Sequence, residues 1–276
     1  MATAQHLPDD LFEQSLPQRF PRLTSLYEKA KRDFWNETTE IDWDRPIEME
    51  PAERRALARL LSITYYGERA ALTIAGQLVA TVADEEAKQA LACQVVEEAK
   101  HVGVFQRLLP RLDKIYPPSF FAKYLLSDLI KTDQAYAKMV GMHLFVENIA
   151  NHSFSAIRDK VEDPLVRSVL GYVARDERKH TAIAVLYLPT LLENLSMRQI
   201  SWLQYKQLKW VTLGMGMVKD GYEDARVLNI DLISAGQKAL RDHYRLRNQM
   251  TTTRGLLDIP GFDRIIDKVG EWANGR

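Results

Sequence analysis

The chain has 276 residues, of which 46% are hydrophobic and 27% charged, a composition typical of a soluble globular protein. Lys and Arg balance Asp and Glu at 37 each, and this formal net charge of +0 excludes a global attraction to nucleic acid or to an anionic membrane surface. The single cysteine, Cys93, excludes an intramolecular disulfide and fits a reducing compartment, so we expect a cytoplasmic protein.

The N-terminal part of the chain predicts neither a targeting signal nor a membrane span. MATAQHLPDD lacks the basic and apolar regions of a secretory signal, and no run of about 18 apolar residues follows anywhere in the chain. The first fifty residues predict an irregular arm with one short helix around Leu23 to Phe34. Pro51 then predicts the first position of a long helix to about Val82, because proline lacks an N–H that would be unpaired there.

The middle of the chain continues with helical periodicity. Asp84 predicts the N-cap of a second long helix that ends before Pro110. Ser119 precedes a third stretch, which we expect to break near Thr132-Asp133 and to continue to about Val161. No strand pattern interrupts these segments, so the predicted fold class is all-α.

The remaining helices have equally clear start signals. Asp163-Pro164 predicts the start of a fourth helix that reaches about Leu192, Ser196 predicts the cap of a fifth, and a sixth follows Gly221. We therefore predict a single helical domain over residues 1–276. It comprises an arm at 1–49, a bundle at about 51–192 and accessory helices at about 196–276.

Two helical segments have the spacing Glu-x-x-His, at Glu98 to His101 and at Glu177 to His180. Residues three apart lie on nearly the same helix face, so a carboxylate and an imidazole can bind one ion. A single glutamate in an apolar stretch precedes each segment by 30 residues, Glu68 before Glu98 and Glu147 before Glu177. Such carboxylates are costly to bury unless they are paired or coordinated.

This arrangement, one glutamate per helix on two helices and Glu-x-x-His on two others, is the known pattern of di-iron carboxylate bundles. Four carboxylates balance the charge of two divalent ions, and oxygen and imidazole ligands suit iron or manganese, with zinc possible. The sequence thus predicts a two-metal site. The alternative is that these residues are surface charges on amphipathic helices. The predicted ligands are Glu68, Glu98, His101, Glu147, Glu177 and His180.

These residues resemble those of the ribonucleotide reductase small subunit and its relatives in the ferritin-like superfamily. The segment LYEKAKRDFWNETTEIDWDR is similar to the one that precedes their bundle, and YVARDERKH resembles their second Glu-x-x-His helix. EEAKHVGVF and DERKHTAIA are most similar to the ligand-binding oxidase branch. The resemblance covers about residues 23 to 192. It implies a ferritin-like four-helix bundle with additional helices, and a homodimer.

The resemblance also implies roles for two residues outside the ligand set. Asp176 would accept a hydrogen bond from the outer nitrogen of His101 and fix its tautomer. Trp35 would continue this path toward the surface as an electron route to the metals. The alternatives are a solvated charge for Asp176 and ordinary core packing for Trp35.

The chain departs from its relatives at the positions that store a radical. Phe105 stands where the reductase subunit has a radical tyrosine, and Ala70 and Met142 stand at the positions expected for the Val–Tyr crosslink of the oxidases. The final residues, GEWANGR, lack an acidic docking tail. We therefore expect a centre that acts directly on substrate.

Residues near Glu147 complete the predicted site. Asn151 and Ser155, one and two turns beyond it, are predicted to face a substrate cavity. His143 and His152 are predicted to be ordinary packing or surface residues.

The functional hypothesis is a non-haem di-metal oxidase or oxygenase with two Fe ions, or Mn/Fe, and O₂ as co-substrate. It would hydroxylate, desaturate or N-oxygenate a small organic molecule, with electrons from an external donor. Two alternatives stay open. One is a ribonucleotide reductase small subunit without the radical tyrosine, and the other is a ferritin-like iron-binding protein or ferroxidase.

Overall fold

A computed structural model describes residues 19–250, and these residues form helices connected by loops, the longest of them over 33–50, with no strand among them. The predictions about the first ten residues and about GEWANGR lie outside this range. The helices in chain order are α1 Pro21–Arg32, α2 Pro51–Thr81, α3 Glu85–Leu112, α4 Phe120–Ile130, α5 Ala135–Met139, a π-helix Val140–Val146, α6 Glu147–Lys160, α7 Pro164–Leu192, α8 Met197–Asp220, α9 Tyr222–Val227 and α10 Leu232–Gln249.

The helix starts follow the capping residues of the sequence. Asp163 accepts a hydrogen bond from the N–H of Val166, and Ser196 forms a reciprocal capping box with Gln199. Asp84 occupies the N-cap position of α3, but its carboxylate accepts from Tyr187 at 2.9 Å instead of from the helix. Its contact therefore joins α3 to α7.

The prediction that α3 ends before Pro110 is wrong, because the helix continues to Leu112. Pro110 lies in the last turn, where the loss of one hydrogen bond costs little. The guanidinium of Arg54 on α2 donates to the carbonyls of Arg111 and Leu112, at 3.2 and 2.9 Å. This contact satisfies acceptors that the end of a helix leaves unpaired.

The bundle core has two apolar parts with a polar layer between them. Along α2, Leu61 belongs to one apolar cluster and Ile74 to the other, and the buried Glu68 lies between them. α3 crosses the same layers in the opposite direction, from Leu91 to Phe105. Burial of the apolar parts stabilises the bundle and positions the polar layer between them.

The accessory helices pack against the bundle through polar anchors. Asp128 on α4 accepts hydrogen bonds from Lys206 at 2.5 Å and from the indole of Trp210 on α8 at 2.8 Å. On the other side, Asn148 donates to the carbonyl of Ala239 on α10 at 2.6 Å. Within residues 19–250, no helix combines the length and the apolar composition that a bilayer span requires.

Candidate metal centre

The structure brings the six predicted ligands together in the polar layer of the bundle. They form two overlapping groups of four residues, and within each group the ligand atoms lie within 4.8 Å of one another. Both groups contain Glu98 and Glu177, which could therefore bridge two ions. The first group adds Glu68 and His101, and the second adds Glu147 and His180. That these residues bind metal stays a prediction.

Both histidines present the same nitrogen to the carboxylates. Nδ1 of His101 lies 3.2 Å from Oε2 of Glu68 and 3.2 Å from Oε1 of Glu177. Nδ1 of His180 lies 3.2 Å from Oε1 of Glu98. The Nδ1 atoms would thus be the ligand atoms, and each Nε2 remains for an outer partner.

The donor set fits two divalent ions. Buried carboxylate oxygens of Glu98, Glu147 and Glu177 and Nδ1 of His180 have no hydrogen-bond partner within residues 19–250. Natural proteins rarely leave such atoms unpaired, and an ion is one explanation for them. Burial also raises the pKa of Glu68 and of Glu147 well above the usual range. Two positive ions would oppose these shifts, because they favour the ionised carboxylates.

Trp35 and Asp176 lie where the resemblance implies. Oδ2 of Asp176 accepts from the indole N–H of Trp35 at 2.6 Å and from Nε2 of His101 at 3.3 Å. Burial raises the pKa of such a carboxyl, but the hydrogen bond and charge of His101 hold the pKa of Asp176 well below its usual range. Tyr172 stacks on Trp35 with ring centroids 4.6 Å apart and extends the path to a half-buried side chain.

Two residues that the sequence analysis missed hold the other histidine. Oε2 of Glu97 accepts from Nε2 of His180 at 2.9 Å, and Oε1 of Glu97 accepts from the ammonium of Lys179. Burial alone lowers the pKa of Lys179, but the hydrogen bond from this lysine to Glu97 raises it above its ordinary value. The position of Glu97 directly before Glu98 matches that of Asp176 before Glu177, and this parallel was the available signal.

A second missed pair, Gln94 and His143, lies against the carboxylates from another side. The amide of Gln94 donates to Glu98 at 3.0 Å and to Glu147 at 2.9 Å, and its carbonyl oxygen lies 2.8 Å from Nε2 of His143. Burial lowers the pKa of His143 to about 3, so the ring is neutral. His143 is thus a buried member of the site, whereas His152 is half-buried and lies 2.8 Å from Asp242.

The prediction that Asn151 and Ser155 face a cavity is wrong. The cavity beside Glu147 is lined by Ala150 and Ser153 of α6, whereas Ser155 is exposed and donates to the carbonyl of Asn151. Successive α-helical residues are rotated by about 100°, so positions three and six beyond Glu147 lie on the opposite flank from positions four and eight. The prediction from the sequence therefore chose the wrong flank of α6.

This cavity has a volume of about 120 Å³ and opens directly on Glu68, Glu147 and Glu177. Among the described residues, its only other polar side chains are Thr64 and Ser153. The walls are aliphatic and come from the bundle and from the accessory helices. They include Leu60, Leu126, Met142, Met217, Val218 and Ile230.

The positions that would store a radical are apolar in the structure as well. Phe105 is fully buried and lies 6.3 Å from Phe154 between ring centroids. Met142 lines the cavity, as does Ala71, whereas the predicted partner position Ala70 is buried elsewhere on α2.

No family model matches the sequence, and no curated protein sequence matches it. Solved structures do match the fold. A single-residue variant of an R2-like ligand-binding oxidase, with an aerobically reconstituted Mn/Fe cofactor, superposes with a TM-score of 0.67 at 17% identity. The match covers 88% of this chain and 98% of that one.

The chain has the fold of the R2-like ligand-binding oxidases. A second similar structure is "Protein 19 with aldehyde deformylating oxidase activity from Synechococcus", with a TM-score of 0.61 and 18% identity over 75% of this chain and 96% of that one. These matches confirm the predicted fold class, an all-α ferritin-like bundle like that of the ribonucleotide reductase small subunit. They also confirm that proteins with this fold hold Mn/Fe cofactors, and the buried cluster of this chain offers ligands for two ions.

Proposed function

We propose that this protein is a di-metal oxidase or oxygenase, with Fe/Fe or Mn/Fe, that activates O₂ and oxidises an apolar organic molecule. The observation that carries the proposal is the aliphatic cavity that ends on Glu68, Glu147 and Glu177. A ligand in this cavity would lie beside both metal-binding groups. The fold similarity to an R2-like ligand-binding oxidase and to a protein with aldehyde deformylating oxidase activity supports it.

The cavity walls indicate the chemical class of the substrate. They contain no cation that would pair with an anionic group, and the hydroxyls of Thr64 and Ser153 are the only uncharged polar side chains in the described lining. Desolvation of a charged substrate there would be uncompensated, whereas an aliphatic chain gains free energy from burial. We therefore expect an apolar molecule that presents a C–H or another oxidisable group to the carboxylates.

The residues of the chain have separate tasks in this mechanism. When bound, a reduced pair of such ions supplies two electrons to O₂. The six ligands would fix the two ions, and Asp176 and Glu97 orient the two histidines through Nε2. The aliphatic walls exclude water and hold the substrate in place. Asp176, Trp35 and Tyr172 provide a contiguous path for electrons from an external donor.

The two alternative functions make different use of this site. An iron store or ferroxidase needs no aliphatic cavity, and neither does a reductase subunit in which the metal pair takes the place of the radical tyrosine. The cavity thus favours direct oxidation of a substrate. A cytoplasmic homodimer without nucleic-acid or membrane partners stays an expectation.

The test is O₂ uptake by protein loaded with Fe(II) alone or with Mn(II) and Fe(II). We expect steady uptake that depends on an added apolar substrate, such as an aliphatic aldehyde or hydrocarbon, and that disappears in the Glu98→Ala, Glu177→Ala double variant. Uptake in a single burst proportional to added iron, with no response to any apolar compound, would establish a ferroxidase instead. Turnover only together with a large reductase subunit would establish the reductase alternative.

A further inference from the structure

A buried ionic cluster lies on the outer side of the two ligand histidines. Its carboxylates are those of Glu97 and Asp176, whose side chains are 3% and 0% exposed. Its cations are Lys179 and Lys100, whose side chains are 6% and 5% exposed. Two charges of each sign balance within this cluster. Buried charges are tolerated only when they are paired in this way.

The sequence of this cluster repeats on two helices. Residues 97–101 of α3 read EEAKH and residues 176–180 of α7 read DERKH, so an acid, a ligand glutamate, a lysine and a ligand histidine recur at the same spacing. The contacts cross between the helices. Glu97 on α3 holds His180 on α7, and Asp176 on α7 holds His101 on α3.

Lys179 connects the two crossed contacts. Its ammonium donates to Oε1 of Glu97 and lies 2.9 Å from Oδ1 of Asp176. Each carboxylate therefore uses one oxygen for a histidine and the other for Lys179, through a hydrogen bond at Glu97 and through an ion pair at Asp176. Lys100, at the matching position of α3, contacts one of the two acids, Asp176, at 3.4 Å, and donates to the carbonyl of Trp35 at 3.5 Å. It also packs over the rings of Phe34 and Trp35 at 4.3 and 4.5 Å.

We propose that Lys179 is a positioning residue that couples the two metal-binding groups by holding Glu97 and Asp176 against their histidines at the same time. This inference deepens the proposed function and rests on it, because it requires that the two groups bind ions. Lys100 has the lesser task, since it supports the His101 side alone.

The physical consequence of removing Lys179 differs from that of removing either acid. Without Lys179, two buried carboxylates face each other without their shared counter-charge, so both lose the contact that fixes their orientation. Without Glu97, Nε2 of His180 loses its partner and Lys179 loses one of its two carboxylates, whereas Asp176 keeps its contacts with Lys179 and His101. Loss of an outer partner of a metal ligand typically weakens metal binding by about 10- to 100-fold.

The experiment measures stepwise binding of Mn(II) alone to metal-free protein, by the EPR signal of free Mn(II) and by calorimetry. We expect Lys179→Met to weaken both binding steps by about 10- to 100-fold. Glu97→Gln should weaken the step of the His180 group by a similar factor and leave the other step within about 3-fold. Arg178→Met removes the same charge from the adjacent, exposed position and should bind as the wild type does.

Lys179→Met with wild-type affinity at both steps, or with one step weakened and the other unchanged, overturns the inference. Should this variant fail to fold, Glu97→Gln decides: a proportional loss at both steps, or no loss, shows that the two contacts are not specific to their histidines. Wild-type protein that binds no Mn(II) overturns the metal assignment itself. Normal Mn(II) binding without substrate-dependent O₂ uptake overturns the proposed reaction and leaves the role of Lys179 intact.

Discussion

The α2–α3 pair and the α6–α7 pair each place a single glutamate 30 residues before a Glu-x-x-His segment, but the backbones that carry the two glutamates differ. Glu68 lies within the uninterrupted helix α2, whereas Glu147 directly follows the π-helix Val140–Val146. The cavity is lined by both halves, by α2 between Leu60 and Ala71 and by the π-helix and the adjoining turns of α6 between Met142 and Ile157. Single π-turns are rare within α-helices, and those that occur often lie at functional sites.

One buried glycine and one exposed glycine in the two halves also lie in different surroundings. Gly141, in the π-helix, lies against Leu129 and Trp210, and an added Cβ would contact both side chains. In α3, a Cβ added at Gly103 would meet nothing within 4 Å. The comparison teaches that equal sequence intervals do not produce equal local structures. Both halves supply ligands and line the cavity, but the α2–α3 half does so from regular helices and the α6–α7 half also through a π-helix.

The largest expected effect is on metal content, and it tests whether the two metal-binding groups share ligands. Glu177→Ala removes a residue common to both groups, so we expect it to lose both ions, whereas Glu68→Ala removes a ligand of one group and should retain about one ion per chain. Elemental analysis after dialysis measures this. Equal metal content in the two variants would contradict the assignment of Glu177 as a shared ligand.

The next largest expected effect is on stability and comes from the packing around the π-helix. Gly141→Ala should lower the free energy of unfolding by about 3 kcal/mol, since overpacking of a filled core costs this order. Gly103→Ala, in the other half, should raise it by about 0.5–1 kcal/mol through better helix propensity. Urea unfolding of the metal-free variants checks both signs. A gain at Gly141 would show that the π-helix is not closely packed.

The Gln94–His143 contact between the halves should have a smaller effect. His143→Leu leaves the buried carbonyl oxygen of Gln94 without its donor, so we expect a loss of about 2 kcal/mol in unfolding free energy. His152→Leu, at the half-buried pair with Asp242, is the control and should cost no more than about 1 kcal/mol. Equal losses of unfolding free energy in the two variants, measured by urea unfolding, would show that the buried contact stabilises the protein no more than the half-buried one.

The smallest effects are expected on the flank of α6 away from the cavity. Asn151→Ala and Ser155→Ala should change stability by no more than about 0.5 kcal/mol and leave substrate-dependent O₂ uptake unchanged. Ala150→Leu, on the cavity flank, should reduce uptake with bulky substrates because it fills the space beside Glu147. Uptake that falls in Asn151→Ala but not in Ala150→Leu would reverse the assignment of the flanks.

The sequence alone was sufficient for the main helix starts, the fold class and the six predicted ligands that meet in the polar layer. Helical periodicity and capping residues are local properties, so Asp163 and Ser196 mark helix starts whatever packs around them. A buried carboxylate on an apolar helix face requires a partner, which restricts where Glu68 and Glu147 can lie.

Only the tertiary structure decided which flank of α6 faces the cavity, how Pro110 is accommodated and that Glu97 holds His180. These features depend on contacts between helices distant in sequence, such as that of Arg54 with the end of α3. The sequence shows that Glu97 and Lys179 are charged but not that they contact each other, because the packing of α3 against α7 determines which side chains meet. Local interactions determine where helices begin and end, whereas the packing of helices against one another determines which side chains meet at the site.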